Sequence, residues 1–218
     1  MVESDSKYIE DAFSDLEIGK QIIKKLEEIY NEKFTVLKIA KKYAEGDFDH
    51  SVAICSPANN KNIMFNVLYD MVEEKIAEDD FFIKCTCFEL EEYIVNAFKN
   101  NNIEVIVKVE IFGKKGLERK YSVQEFTENY EKNNFLATII VKDNISQIEL
   151  EDVFKNINDF YKNIYLKTLI YVIQNDEYEK CYNRAKNLTN LSMSFIRDYN
   201  VKNEYIMKIY NNEIIKVK

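Results

Sequence analysis

The sequence predicts an α+β fold, in which helices pack on mixed or antiparallel sheets, and three observations favour it. Segments with helical spacing alternate with strand-like segments along the chain. A Ser, Thr or Asp followed three residues later by Glu is a helix-start signature, and five such signatures head helical segments that run into strand-like segments. The 218 residues include only one Pro and four Gly, which leaves no room for a flexible linker. The five signatures begin at Ser14, Thr86, Ser122, Ser146 and Asp176.

The chain is predicted to start with a helix and a three-stranded meander. Apolar residues at intervals of three or four place the helix over residues 15–31. Strand-like segments follow, and the short polar turns between them favour antiparallel pairing. These strands are expected at 34–40, 51–56 and 62–69.

Two more helices and a long strand are expected before the middle of the chain. Asp70 is a candidate cap for a short helix over 71–78. Thr86 is expected to cap a longer helix, which the three Asn residues 100–102 end. Alternation of apolar and polar residues, with Ile106 and Phe112 on the more polar face, then predicts a strand over 103–112, with one face wetter than the other.

The second half is predicted to alternate helices and strands and to end in three strands. Helical crossovers of this kind permit parallel strand pairs. Asn211 and Asn212 suit a tight turn in a final antiparallel hairpin, because Asn tolerates positive φ. The whole order is α-βββ-αα-β-αβ-αβ-αβββ. The helices of this half are expected at 123–132, 147–164 and 177–188, and its strands at 135–141, 167–173, 191–197, 204–210 and 213–217.

The turn at 113–116 is the predicted boundary if the chain forms two tightly joined subdomains rather than one domain. The net charge of −8 lies in residues 1–116, which hold 15 basic and 23 acidic residues. Residues 117–218 hold 15 of each. The prediction is therefore an acidic α+β subdomain over 1–116 and a neutral α/β subdomain with a C-terminal meander over 117–218.

Acidic residues are concentrated in one segment, 70–92, where nine Asp and Glu residues face two Lys. Such a charge attracts basic proteins and repels nucleic acid. The first hypothesis is a non-enzymatic interaction protein with a basic partner, for example an immunity-type protein that neutralises a basic toxin. The alternative is a solvated acidic face that helps solubility, which is what charge runs usually are. The candidate partner-binding residues are Glu73, Glu74, Glu78, Asp79 and Asp80.

No catalytic residue, cofactor site or phosphate-binding glycine loop can be assigned from the sequence. Asp47, Asp49 and His50, the last being the one histidine of the chain, combine residue types that bind divalent metals. A small metal-dependent hydrolase that uses these three residues is the second hypothesis. A plain turn before a strand also accounts for them, and no metal is the expectation.

The four cysteines are expected to be buried free thiols of a reducing compartment, because their spacing is irregular. Cys85 and Cys87 lie one residue apart, which leaves a redox role open. No transmembrane helix is expected, since the chain lacks a run of about 18 apolar residues. The acidic N-terminus lacks the features of a signal peptide. A cytoplasmic location follows, with the cell envelope as the alternative if a signal sequence has been removed.

The third hypothesis is a structural or oligomerising module. It would use the terminal hairpin 204–217 as an exposed sheet edge, because such edges invite pairing with another chain. The sequence does not decide the oligomeric state. An excess of Asn, Lys, Ile and Tyr indicates an AT-rich, bacterial genome.

The segment from Leu26 to Phe34 resembles a segment of small uncharacterised α+β proteins of Gram-positive bacteria, some of which are lipid-anchored or secreted. In those proteins a helix ends in Leu-x-x-x-Tyr-x-Glu-x-Phe, and a strand, a polar turn and two more strands follow. Their usual Gly after the Tyr is replaced by Asn31 here. The resemblance covers residues 16–112. It implies an envelope location as an alternative, and it brings no activity and no catalytic residue.

Overall fold

The structure, a computed structural model, describes residues 3–43, 49–112, 117–130, 135–142, 145–210 and 212–217. Side chains are described over these ranges except at 3–14, 41–43, 49 and 147. Six helices and nine strands in two sheets occur in this part of the chain, which confirms the α+β class. The helices are α1 (Glu3–Tyr30), α2 (Phe81–Lys99), α3 (Val123–Asn129), α4 (Gln147–Phe160), α5 (Asn175–Ala185) and α6 (Met193–Ile196). The strands are β1 (Phe34–Tyr43), β2 (Asp49–Pro57), β3 (Phe65–Asp70), β4 (Lys75–Asp79), β5 (Val105–Ile111), β6 (Phe135–Lys142), β7 (Leu166–Ile173), β8 (Val201–Tyr210) and β9 (Glu213–Lys216).

The first sheet is a four-stranded antiparallel meander in the order β1-β2-β3-β4. Its first three strands confirm the predicted meander. Cys55 of β2 pairs with Val36 of β1 and with Phe65 of β3, so these three side chains share one face of the sheet.

Helix α1 contributes a buried stripe of Ile18, Ile22 and Leu26 to the core of this part of the chain. Gly19 lies in the same stripe, where a Cβ atom would come within 3.3 Å of Cδ1 of Ile39 on β1. The missing side chain therefore allows α1 to approach the strand closely.

The end of α1 is joined to the sheet by a cluster of four aromatic rings. Phe34, Phe65 and Phe81 are buried, and their ring centroids lie 4.9–5.6 Å apart. Tyr30 completes the cluster, with its centroid 4.8 Å from that of Phe81 in an edge-on arrangement. Such offset contacts add to the free energy gained from apolar burial. Asn31 then reverses the chain with a φ of 54°, in the position where the resembling proteins have Gly.

The second sheet has five strands in the order β5-β6-β7-β8-β9. Strands β6 and β7 are parallel and are connected through α4, as the predicted crossovers allow. The remaining neighbours are antiparallel, which includes the final hairpin of β8 and β9. Asn212 in that hairpin has a φ of 61°, in agreement with the predicted turn.

Helices cover both faces of the second sheet. Ile139 points into a core with α2, α3 and α4, whereas its neighbour Ile140 points into a core with α5 and α6. Adjacent residues of a strand face opposite sides, so a strand that is buried on both faces shows a continuous apolar run instead of alternation. The sequence of β6, Phe-Leu-Ala-Thr-Ile-Ile-Val-Lys, is such a run.

Two predicted elements are wrong. The segment 71–78 is a turn followed by β4, not a helix, because pairing with β3 satisfies its backbone. The segment 191–197 contains α6 rather than a strand. There, Ser192 accepts a hydrogen bond from the amide of Phe195, and the turn of helix buries Phe195 and Ile196.

Of the five helix-start signatures, those at Ser122 and Ser146 are confirmed as complete capping boxes. The other three are wrong, because α1, α2 and α5 begin at Glu3, Phe81 and Asn175. Thr86 lies inside α2, where its hydroxyl donates to the backbone oxygen of Tyr121 at 2.7 Å.

The chain divides into two compact units, one up to Phe81 and one from Phe82 onward, and each contains one sheet. Residue 116, the predicted boundary, lies in sequence between β5 and β6, which pair in the same sheet. The turn at 113–116 itself is outside the described residues. The subdomains 1–116 and 117–218 remain a prediction.

Ser146→Ala is expected to lower the free energy of unfolding by about 1 kcal/mol, because the amide of Glu149 loses its acceptor. Ser146→Asp retains an acceptor at the cap and is expected to restore most of the loss. Urea denaturation followed by circular dichroism measures both. Equal losses in the two variants would contradict a capping role.

Candidate functional site

Many of the nine carboxylates of the segment 70–92 are engaged by other groups of the protein. Six of them accept hydrogen bonds from other groups of the chain, and five of the six accept from backbone amides. An amide inside a turn, at a helix start or at a sheet edge needs an acceptor, and an ionised carboxylate is a strong one. The six are Asp70, Glu73, Asp79, Asp80, Glu89 and Glu91.

Asp70 shapes the turn between β3 and β4. Its Oδ1 accepts hydrogen bonds from the amides of Val72 and Glu73, both at 3.0 Å. The bond from Glu73, followed by that from Val72 and the charges of His50 and Lys75, holds the pKa of Asp70 below its usual value, although burial acts in the opposite direction.

Asp79 joins α1 to the start of α2. The hydroxyl of Tyr30 donates to its two carboxylate oxygens at 2.7 and 2.8 Å, and the amide of Phe81 donates to Oδ1 at 3.0 Å. The free amides at the start of a helix favour an acidic side chain there. Asp79 is therefore half-buried and has a structural role.

Asp80 has a similar role toward the first sheet. Its Oδ1 accepts from the backbone amide of Asn66 at 2.6 Å, and its Oδ2 accepts from the side-chain amide of the same residue at 3.0 Å. The carboxylate thus binds Asn66 twice, which fixes the chain as it leaves β4. The pair of Asp residues directly before an apolar helical segment was a readable sign of the bond from Phe81 to Asp79, since Asp is favoured at helix starts.

Glu73, Glu74 and Glu78 are exposed on the β3–β4 hairpin, residues 70–80, which we call the acidic hairpin. Glu73 forms a 3.0 Å ion pair with Lys75, and both side chains are more than half exposed. Val72, 65% exposed, adds an apolar side chain to the same turn. The hairpin therefore presents carboxylates and one aliphatic group to solvent.

Glu74 has an unusual backbone conformation, with a φ of 48°. Positive φ is strained for a residue with an ordinary side chain and is better tolerated by Asn. The other non-glycine residues of the described chain with positive φ are all Asn: Asn31, Asn102, Asn163 and Asn212. Glu74 is the exception among them.

In the second unit, Glu89 and Glu91 of α2 accept from the amides of Val123 at 3.1 Å and Val109 at 2.8 Å. Val109 belongs to β5, which is the edge strand of its sheet, so Glu91 supplies an acceptor that a neighbouring strand would otherwise provide. Burial raises the pKa of Glu91, against the opposing effect of Lys108, whose Nζ lies 3.9 Å from the carboxylate.

The predicted metal residues are only partly described. Asp47 and the side chain of Asp49 lie outside the described residues. His50 is opposite Asp70 in the pairing of β2 with β3. Within the described part of the chain, no group of three or more His, Cys, Asp and Glu side chains could hold a metal ion.

The four cysteines are buried and free, as predicted. Burial raises the pKa of Cys55 to about 12 and that of Cys181 to about 11. A thiol must ionise to act as a nucleophile, so these two are protonated and unreactive near neutral pH. Cys85 and Cys87 lie within α2 rather than at its first residues, where the helix dipole would stabilise a thiolate most.

The fold is similar to that of a crystal structure of a DUF5037 family protein from Ruminococcus gnavus ATCC 29149. The TM-score is 0.69 at 15% sequence identity, over 90% of this chain and 94% of the other. At this identity the likeness concerns the fold alone. No family model matches the chain, and no curated protein matches it.

None of the described helices is both long enough and apolar enough to cross a membrane.

Asp79→Ala is expected to lower the free energy of unfolding by about 2–3 kcal/mol, because the hydroxyl of Tyr30 and the amide of Phe81 lose a charged acceptor. Tyr30→Phe is expected to cost about 1.5 kcal/mol, and the double variant less than the sum. The matched control is Glu78→Ala on the same strand, with an expected change within about 0.5 kcal/mol. Additive losses would show that Tyr30 and Asp79 do not depend on each other.

Asp70 is expected to make stability dependent on acid pH. Its pKa in the folded protein is below the unfolded value of about 3.9, so its contribution is present above that value and is lost as pH falls through the folded pKa. Asp70→Asn, which keeps an oxygen acceptor, is expected to flatten the acid limb of a plot of unfolding free energy against pH. Asp70→Ala should lower stability at every pH. A limb for Asp70→Asn that runs parallel to the wild type would refute this assignment.

Proposed function

We propose that this protein is a non-enzymatic interaction protein, which binds a basic protein through the exposed carboxylates of the acidic hairpin. The observation that carries the proposal is Glu74, which is exposed and has positive φ where the other such positions of the described chain have Asn. A strained residue is best explained by a use for its side chain. At the surface of this turn, that use is contact with a positively charged group.

The chemistry around Glu74 suits such a contact. Glu73 and Glu78 are exposed on the same hairpin and add negative charge, while Val72 offers an apolar contact. Interfaces combine apolar contacts with a charged rim that accelerates association. Lys75 already neutralises part of the charge of Glu73, so Glu74 and Glu78 are the carboxylates expected to matter most.

The structure changes which of the candidate residues can be tested. Asp79 and Asp80 hold hydrogen bonds inside the first unit, so changing them would disturb folding together with binding. The proposal therefore concerns Glu73, Glu74 and Glu78. An immunity-type protein that neutralises a basic toxin is the concrete form that we favour.

The test uses the double variant Glu74→Asn/Glu78→Gln. Asn relieves the positive φ at position 74, so the variant is expected to be at least as stable as the wild type while losing two charges. The control is Glu92→Gln/Glu118→Gln, which removes two exposed carboxylates from the second unit. Each immobilised protein is mixed with lysate of the native host, and captured proteins are identified by mass spectrometry.

We expect the wild type and the control to capture the same basic protein and the hairpin variant to capture roughly tenfold less, with weaker capture at high salt. If that protein is a toxin, co-expression of the wild type should restore growth and co-expression of the hairpin variant should not. Equal capture by all three proteins, or capture of acidic proteins alone, would rule out the hairpin as the binding surface.

A further inference from the structure

A groove between α2 and α4, in the second unit, has the composition of a ligand site and is independent of the acidic hairpin. Its volume is about 410 Å³, inside the range of roughly 300–1,000 Å³ that is common for small-molecule sites. The described residues that line it are neutral or acidic, and none is basic. They are Tyr93, Asn96, Ala97 and Asn100 from α2 and the turn after it, with Asn156, Asp159 and Phe160 from α4.

Mutual contacts between aromatic rings form one wall of the groove. The ring of Phe160 stacks on that of Tyr93 with centroids 4.3 Å apart and an angle of 24° between the planes. Tyr161, which is buried, meets both rings edge-on at 5.0 and 4.8 Å. Phe160 nevertheless remains 60% exposed, although it could gain free energy by burial. A fixed, exposed ring is a surface against which a flat ligand face can pack.

The polar wall faces this ring with amide groups. Asn96, Asn100 and Asn156 are exposed, and each side chain offers two donors and one acceptor oxygen. Asp159 adds a carboxylate near the phenol of Tyr93; burial raises the pKa of Tyr93, and the charge of Asp159 raises that pKa further. The hydroxyl of Tyr93 donates to the backbone oxygen of Asn156 at 3.3 Å, which ties the two helices together across the groove.

We propose that this groove binds a neutral carbohydrate, a mono- or disaccharide unit. One face of a pyranose ring consists of C–H groups, which pack on an exposed aromatic ring, while its hydroxyls both donate and accept hydrogen bonds as carboxamides do. A nucleotide or sugar phosphate would need a cation, which the lining does not provide. A purely apolar ligand would leave the amides and Asp159 without partners.

The experiment titrates the ¹⁵N-labelled full chain with cellobiose, maltose and N,N′-diacetylchitobiose, each up to about 10 mM, which reveals a Kd near 1 mM. The readout is the shift of the side-chain amide signals of Asn96, Asn100 and Asn156. Glucuronic acid and adenosine monophosphate serve as anionic probes of similar size. We expect at least one neutral disaccharide to shift the three signals and the anionic probes to bind more weakly.

Two variants separate binding from folding. Phe160→Ala removes the exposed ring and is expected to weaken binding about tenfold. Its control, Ile148→Ala, removes another exposed side chain of α4, 72% exposed, and should leave binding unchanged. Asn96→Ala places a better helix former at an exposed helical position, so a loss of affinity there reports the amide and not instability.

The proposal is overturned if no neutral disaccharide shifts the three amide signals, or if Phe160→Ala binds as well as Ile148→Ala. Tighter binding of adenosine monophosphate than of every sugar would also overturn it, in favour of a nucleotide.

Discussion

The hydrogen bond from a backbone amide to a side-chain carboxylate is the interaction on which much of this structure depends. Asp70 accepts from an amide in the turn after β3, and Asp79 accepts from the first amide of α2. Glu91 accepts from an amide on the unpaired edge of β5. Each amide would otherwise lack an acceptor within its own element. A hydrogen bond to a charged group contributes about 1.5–3 kcal/mol, a large share of the stability of a typical domain.

Because these acidic residues act as hydrogen-bond acceptors inside the fold, the negative charge of a sequence segment differs from the charge that it exposes. Most carboxylates of the segment 70–92 are acceptors inside the fold, so the density of negative charge in the sequence overstates the charge offered to a partner. The exposed carboxylates of the acidic hairpin are only Glu73, Glu74 and Glu78. Of these, Glu74 has a backbone conformation that is unfavourable for its side chain. The acidic hairpin could be found from the charge of the sequence, whereas no charge pattern in the sequence indicates the groove beside Phe160.

Most of the fold could be predicted from the chain, because its signals are local. The period-two pattern of β5 and the helical stripe of α4 need no knowledge of distant residues. The errors arose where a distant partner decided the outcome. Residues 75–79 pair with β3, and the turn at Ser192 buries Phe195 against the second sheet. The intrinsic preference of a residue for helix or strand contributes less than such tertiary contacts.

For the candidate site too, local features could be predicted from the sequence and distant contacts could not. The sequence by itself determined the α+β class, most helices and strands, the capping boxes at Ser122 and Ser146, and the excess of acid before the middle of the chain. Only the tertiary structure decided which distant groups the carboxylates bind, since Asp79 accepts from Tyr30 and Glu91 accepts from Val109, both far away in sequence. The stacking of Tyr93 on Phe160 likewise depends on the tertiary structure alone. The physical reason is that periodicity and capping act within a few residues, whereas the partner of a side chain depends on how the elements pack.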